Sequence, residues 1–175
     1  MPLLYYPARL LLAMGADVLR VESAYDLVDG FRGLSEAEQD RWLHADATAA
    51  CRAALAQRAY RQVTLVGKSI GTLALGHLLA TEAALAQARA IWLTPLLTNE
   101  RLRSLIERCR QRSLFVIGTD DPEYDQARLV EAQAATGGEA VVVGGGDHSL
   151  EVRGDVFRSL QALEQMLRAV QTFLA

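Results

Sequence analysis

Five short apolar runs, most of them followed by enough chain for a helix, constrain this sequence more than any other feature. They are 16–21 (ADVLRV), 62–66 (QVTLV), 90–93 (AIWL), 113–117 (SLFVI) and 139–143 (EAVVV). Most are rich in β-branched residues and lack strict alternation, as strands buried on both faces of a parallel sheet do. Helical patterns lie between them. Leu3 to Met14 reads as an amphipathic or buried helix closed by Gly15, and not as a leader segment, because its one basic residue, Arg9, lies inside the run. Ser35 to Glu38 spells a capping box that opens a helix expected to reach about Tyr60. Asn99-Glu100 opens another, expected to end near Arg112, with Arg108, Arg110 and Arg112 suited to the negative end of its dipole. A third follows Pro122 and stops at Gly137-Gly138. The last spans about 153–174, with Val156, Leu160, Leu163, Leu167 and Val170 on one stripe.

Alternating strand and helix is the pattern of βαβ units. The expected fold is α/β: a three-layer α/β/α sandwich with a mostly parallel sheet of about five strands, one domain over residues 1–175. The stretch from Trp92 to Leu114 is too short for a helical lid, so no cap domain is expected.

Composition narrows the function. With 51% hydrophobic and 22% charged residues the chain can bury a core, and a net charge of −3 gives no drive toward nucleic acid. No run reaches the roughly 18 apolar residues of a membrane span. Cys51 and Cys109 have no CxxC spacing, which excludes a disulfide framework or zinc cluster and fits a reducing cytoplasm. Lys68 is the only lysine, and the bias toward Arg, Ala and Leu is that of a GC-rich bacterial genome.

The chemistry concentrates at 63–75, VTLVGKSIGTLAL, where an apolar strand runs through Gly67-Lys68-Ser69-Ile70-Gly71 directly into a helix. This is G-x-S-x-G in the strand, sharp turn, helix context that exposes a serine hydroxyl. A β-carbon at Gly67 or Gly71 is expected to clash in so tight a turn. The Ile70 amide, at a helix N-terminus, is placed to donate to an oxyanion. A phosphate-binding loop is excluded, since Gln62 stands where that motif needs glycine and the segment is strand. The rival reading is a packing turn whose Ser69 only caps the helix.

A serine nucleophile needs a base, and the base needs a carboxylate. His44 and His77 lie within helical patterns and read as ordinary side chains. His148 differs, following the run at 139–143 on Gly144-Gly145-Gly146-Asp147-His148, beyond the carboxyl end of a strand, where sites gather in parallel sheets. The run at 113–117 ends likewise in Gly118-Thr119-Asp120-Asp121-Pro122. Asp121, kept extended by the proline, is the first choice, with Asp120 and Asp125 behind it.

The segments LVGKSIGT, FVIGTDDPEYD and VVVGGGDHSLE resemble the nucleophile elbow, acid loop and histidine loop of the α/β-hydrolase superfamily, nearest its small cap-less dienelactone-hydrolase-like members. The resemblance runs from about Leu3 to the C-terminus. It implies Ser69 as nucleophile, His148 as base and Asp121 as its orienting acid, with no metal or cofactor. Such folds normally carry a further strand and a glycine-rich loop, the source of a second oxyanion amide, before the first helix; here the chain opens at Met1-Pro2-Leu3-Leu4. Three readings stay open: a longer natural chain, flanking strands that close up, or a second copy donating its edge in a homodimer. The expected activity is hydrolysis of a small ester or thioester, with a non-catalytic binding domain as the alternative. Lys68, Tyr5 and Leu96 are candidate substrate contacts, with Tyr6, Trp92 and Leu97 less favoured, since such residues are more often core.

Overall fold

The computed structural model describes residues 2–175, the Asp26 side chain aside. Its sheet has four strands, β1 (Thr64–Lys68), β2 (Arg89–Leu93), β3 (Ser113–Gly118) and β4 (Glu139–Val143), all parallel and in chain order. Successive strands in sequential order require right-handed crossovers that keep their helices on one face. Accordingly α3 (Gly71–Thr81), α4 (Glu100–Ile106) and α5 (Gln126–Thr136) share one core with the sheet, joined by the earlier helix α2 (Glu36–Leu55). That core centres on Leu75, Leu79, Trp92, Leu102, Phe115 and Leu129. Helices α1 (Pro2–Ala13) and α6 (Val156–Leu174) cover the other face, where Leu3, Ile91, Leu114, Met166 and Phe173 meet. The result is the expected three layers.

Several expectations need correction. The run at 16–21 forms no strand, so the sheet has four strands and not five. Leu19 and Val21 stay exposed, and Asp17 is drawn aside by Arg58 (2.6 Å) and the Tyr60 hydroxyl (3.1 Å). Arg58 and Tyr60 lie outside helix α2, which ends at Leu55 and not near Tyr60 as expected. An apolar run with charges interleaved becomes a strand only beside another strand, and among the described residues nothing pairs with the outer edge of β1. A further correction concerns α6. The row that meets the sheet is Ala162, Met166, Val170 and Phe173, with Leu163 and Leu167 at its flank, while Val156 and Leu160 are exposed because the first turn overhangs the core.

Local signals hold elsewhere. Ser35 and Glu38 form both halves of the capping box, Asn99 caps α4, and α1 gives way to Gly15 at φ +82°. Helix α4 stops at Ile106, short of Arg112, and Arg110 bonds the carbonyls of Glu107 and Cys109 at 2.7 Å each. Both cysteines are free and buried, and burial pushes the Cys109 thiol up to about 11, which makes it inert. No helix among the described residues is long and apolar enough to cross a membrane.

Helices α2 and α3 meet through His44 and His77, whose rings stack at 3.9 Å and 4°. Burial lowers the pKa of both imidazoles. Arg101 adds to this at His44 and is opposed by Asp40; at His77 the neighbours His44 and Arg108 add to it and Glu82 opposes. His44 Nε2 is enclosed without a partner among the described residues, while His77 Nε2 lies 3.3 Å from Thr48 Oγ1. The unfolded chain therefore binds protons near pH 6.5 that the folded chain resists. This contribution to stability is full above that pH and is lost as pH falls below it. In urea unfolding, the midpoint is expected to drop between pH 7.5 and 5.5, and to drop less in His44→Leu.

Candidate active site

The carboxyl ends of β1, β3 and β4 carry the three side chains. Strand β1 delivers Ser69 in a left-handed conformation, φ +53°, where a non-glycine residue is strained. Three bonds hold it there: Ser69 N–H donates to Leu93 O at 3.1 Å, and its carbonyl accepts from the Thr72 amide (2.9 Å) and hydroxyl (2.5 Å). The turn is so tight that a β-carbon on Gly67 would sit 2.7 Å from Gly71 O and 3.1 Å from Leu75 Cβ. The same steric expectation fails at Gly71, whose β-carbon would meet nothing within 4 Å. The close approach runs from the Gly71 carbonyl onto Gly67, and not the reverse.

His148 closes onto Ser69. Its Nε2 lies 2.8 Å from Ser69 Oγ, and its Nδ1 lies 3.0 and 2.9 Å from the two oxygens of Asp121. The Asp121 side chain is fully enclosed and that of His148 is one-third exposed. A carboxylate can only accept, so Nδ1 carries the proton and Nε2 is left to accept from the Ser69 hydroxyl. The Glu123 amide fixes the carboxylate by donating to Asp121 Oδ1 at 2.9 Å. Of the other two acidic candidates, Asp125 caps α5 through Arg128 N–H, and Asp120 stays exposed.

Several supports carry no motif in the sequence. The Asp147 carboxylate accepts from the amides of Ser149 (2.7 Å) and Glu151 (3.0 Å), folding the loop that presents His148. Thr119 Oγ1 accepts from Gly145 N–H at 2.8 Å, and the Asp120 amide bonds Gly146 O at 3.0 Å. These bonds tie the acid loop to the histidine loop. Their only hint in the sequence is the glycine run, since Gly118 and Gly146 pass too closely for any β-carbon on Gly118.

The Ile70 amide stands at the start of α3 with no hydrogen-bond acceptor among the described residues. It is free to receive a charged oxygen beside Ser69. Lys68 is 8% exposed; burial lowers its pKa, against the pull of Asp121 and Asp147. The remaining pocket candidates separate. Tyr5 is exposed on α1 and meets Tyr6 edge-on, and Tyr6 borders a groove against α6 with Leu10 and Leu167. Leu96 packs half-buried on the α2–α5 side, whereas Leu97 and Trp92 are fully buried core, Trp92 donating to Ser113 Oγ at 3.1 Å.

No family model matches the chain, and no curated protein does. Solved structures do. The α/β serine hydrolase homologue from Coxiella burnetii superposes with a TM-score of 0.64 at 17% identity, over 99% of this chain and 76% of that one. A dienelactone hydrolase-like promiscuous phosphotriesterase from metagenomic libraries gives 0.58 at 17% identity, over 97% and 80%. A predicted CIB-like hydrolase from Thermoplasma acidophilum gives 0.54 at 21% identity, over 74% of this chain. The chain spans 58% of that last protein and 26% of a puromycin hydrolase that it also resembles. The likeness is one of fold: the chain is built as a small α/β-hydrolase-like protein.

Proposed function

From this α/β-hydrolase fold and the geometry of its sheet edge, we propose that the protein is a serine hydrolase acting on small esters or thioesters. One observation carries the reading: Ser69 Oγ lies 2.8 Å from an imidazole nitrogen whose opposite nitrogen is held by an enclosed carboxylate. In this mechanism Ser69 Oγ attacks the substrate carbonyl while its proton passes to His148 Nε2. The negative oxygen of the tetrahedral intermediate takes the Ile70 N–H. The carbon–leaving-group bond then breaks, and the imidazolium returns the proton to the departing alcohol or thiol. Water repeats the sequence on the acyl-serine, freeing the acid and restoring Ser69. Asp121 stabilises the imidazolium and keeps the proton on Nδ1 throughout.

The solved relatives support the reaction class, since those compared above are described as hydrolases or homologues of one, and a further match is a carboxylesterase from Bacillus subtilis. Between β2 and β3 the only helix is the seven-residue α4, and the His148 side chain is one-third exposed, so a small acyl group presented at the sheet edge is the substrate form that fits. No comparable use explains the alternative of a purely binding domain, which has no need of a strained serine aimed at an oriented base. The test is Asp121→Asn. An amide in place of the carboxylate turns the imidazole to the wrong tautomer, and kcat on a panel of 4-nitrophenyl esters and acyl thioesters is expected to fall by about 10⁴-fold. Wild-type turnover that survives this change undiminished would remove His148 and Asp121 from the mechanism.

A further inference from the structure

Three non-glycine residues have positive φ among the described residues, and all lie at the end of the sheet that carries the proposed site. Ser69 (φ +53°) follows β1, Thr94 (φ +41°) follows β2, and Leu150 (φ +58°) comes two residues after His148. Ser69 is the proposed nucleophile, and Leu150 turns the histidine loop, its amide donating to Asp147 O at 2.8 Å. Thr94 belongs to neither the nucleophile's turn nor the histidine loop.

Thr94 carries several costs at once. A left-handed conformation is unfavourable for a β-branched residue, and a residue before proline, here Pro95, is normally extended. Its side chain is fully enclosed, and Oγ1 has no hydrogen-bond partner among the described residues, which adds to the cost. Strain of this kind persists only where the surroundings over-determine it, and it gathers at functional sites.

The hydrogen bonds around Thr94 show what the strained conformation holds. The Leu93 carbonyl accepts from Ser69 N–H at 3.1 Å, and the Thr94 amide of the same peptide unit donates to Val116 O at 2.7 Å. One planar group therefore ties the turn after β1 to β3, whose carboxyl end leads into the Asp121 loop. The φ angle of Thr94 sets the tilt of that group and the direction of the Leu93 carbonyl.

We propose that Thr94 is a positioning residue whose left-handed backbone aims the Leu93 carbonyl at the Ser69 amide and so holds the nucleophile's turn. This rests on the reading of Ser69 as nucleophile. Threonine is kept in that conformation by its enclosing contacts, against its own preference. Glycine adopts the conformation freely. Alanine has neither the contacts nor the freedom, so its backbone should relax to negative φ and swing the carbonyl away.

The test compares Thr94→Ala with Thr94→Gly by NMR-detected amide hydrogen exchange, which requires no catalysis. The Ser69 amide should exchange about tenfold faster than wild type in Thr94→Ala and within about threefold of wild type in Thr94→Gly. The Thr119 amide, bonded to Val143 O at 2.9 Å, should hold its wild-type rate in both. Acylation of Ser69 by a 4-nitrophenyl ester should follow the same order, slowed about tenfold in Thr94→Ala and restored in Thr94→Gly. A side chain that only packs predicts the opposite order, with Thr94→Gly the worse of the two, and that order overturns the proposal. Unchanged Ser69 exchange in Thr94→Ala overturns it as well, as does equal acceleration at Thr119. If wild type shows no acylation, the hydrolase reading fails while the exchange rates still judge Thr94. Should Thr94→Ala alone fail to fold, a folded Thr94→Gly with wild-type Ser69 exchange supports the proposal; failure of both variants to fold marks Thr94 as packing and overturns it.

Discussion

Ser69→Ala will fold like wild type and lose ester hydrolysis by about 10⁴–10⁶-fold. The fold should survive because the hydroxyl has one polar partner, His148 Nε2, and the backbone bonds that hold the turn belong to the Ser69 amide and carbonyl. Alanine keeps those bonds and adds no atom. The residual strain is unchanged, since alanine at φ +53° meets the same steric cost as serine. Activity should collapse because nothing else within reach of His148 Nε2 can be acylated; water activated by the same base would leave only a small residue of rate. Initial rates on the preferred ester, with circular dichroism as the control for folding, check both halves of the prediction.

Gly118→Ala should be the most damaging single-methyl change in the chain. The added β-carbon would stand 1.9 Å from Gly146 O and 2.3 Å from Gly146 C, where ordinary contact needs more than 3.4 Å. The obstacle is backbone, so no side chain can turn away. The histidine loop must lift by more than an ångström, breaking the 3.0 Å bond from the Asp120 amide to Gly146 O. It also strains the bond from Gly145 N–H to Thr119 Oγ1. A loss of about 4 kcal/mol or more is expected, comparable to the largest core substitutions. The protein that still folds should be acylated far more slowly, because His148 rides on the displaced loop. Urea unfolding gives the first number, and acylation rate at a temperature where the variant is folded gives the second. Wild-type stability would mean that the two loops are not in this close approach.

That Ser69, Asp121 and His148 come together was legible in the sequence because each lies a few residues beyond an apolar run, where local pattern decides placement. Pro122 singled out Asp121 from its neighbours by keeping it extended, and the structure gives Asp125 a capping role and leaves Asp120 exposed. What escaped is non-local. Residues 16–21 have the composition of a strand, but a strand also needs an adjacent one, and Asp17 is instead held by Arg58 and Tyr60. On α6 the expected stripe meets the core at Leu163, Leu167 and Val170 and fails at Val156 and Leu160, because Leu160 and Met166 are equally apolar and only the extent of the sheet decides which is covered. Gly118 carries no motif at all; its constraint comes from Gly146, which becomes its neighbour only when β3 and β4 pair. Asp147 likewise reads as one acid among many until its carboxylate is seen gathering the amides of its own loop.

The most direct test of the central claim is the intact mass of the protein after exposure to a fluorophosphonate near pH 8, followed by peptide mapping. The prediction is one adduct per chain, located on Ser69, formed at a rate that falls steeply in Asp121→Asn. A folded protein that takes no adduct, or takes it on another residue, would contradict the assignment of Ser69 as an activated nucleophile.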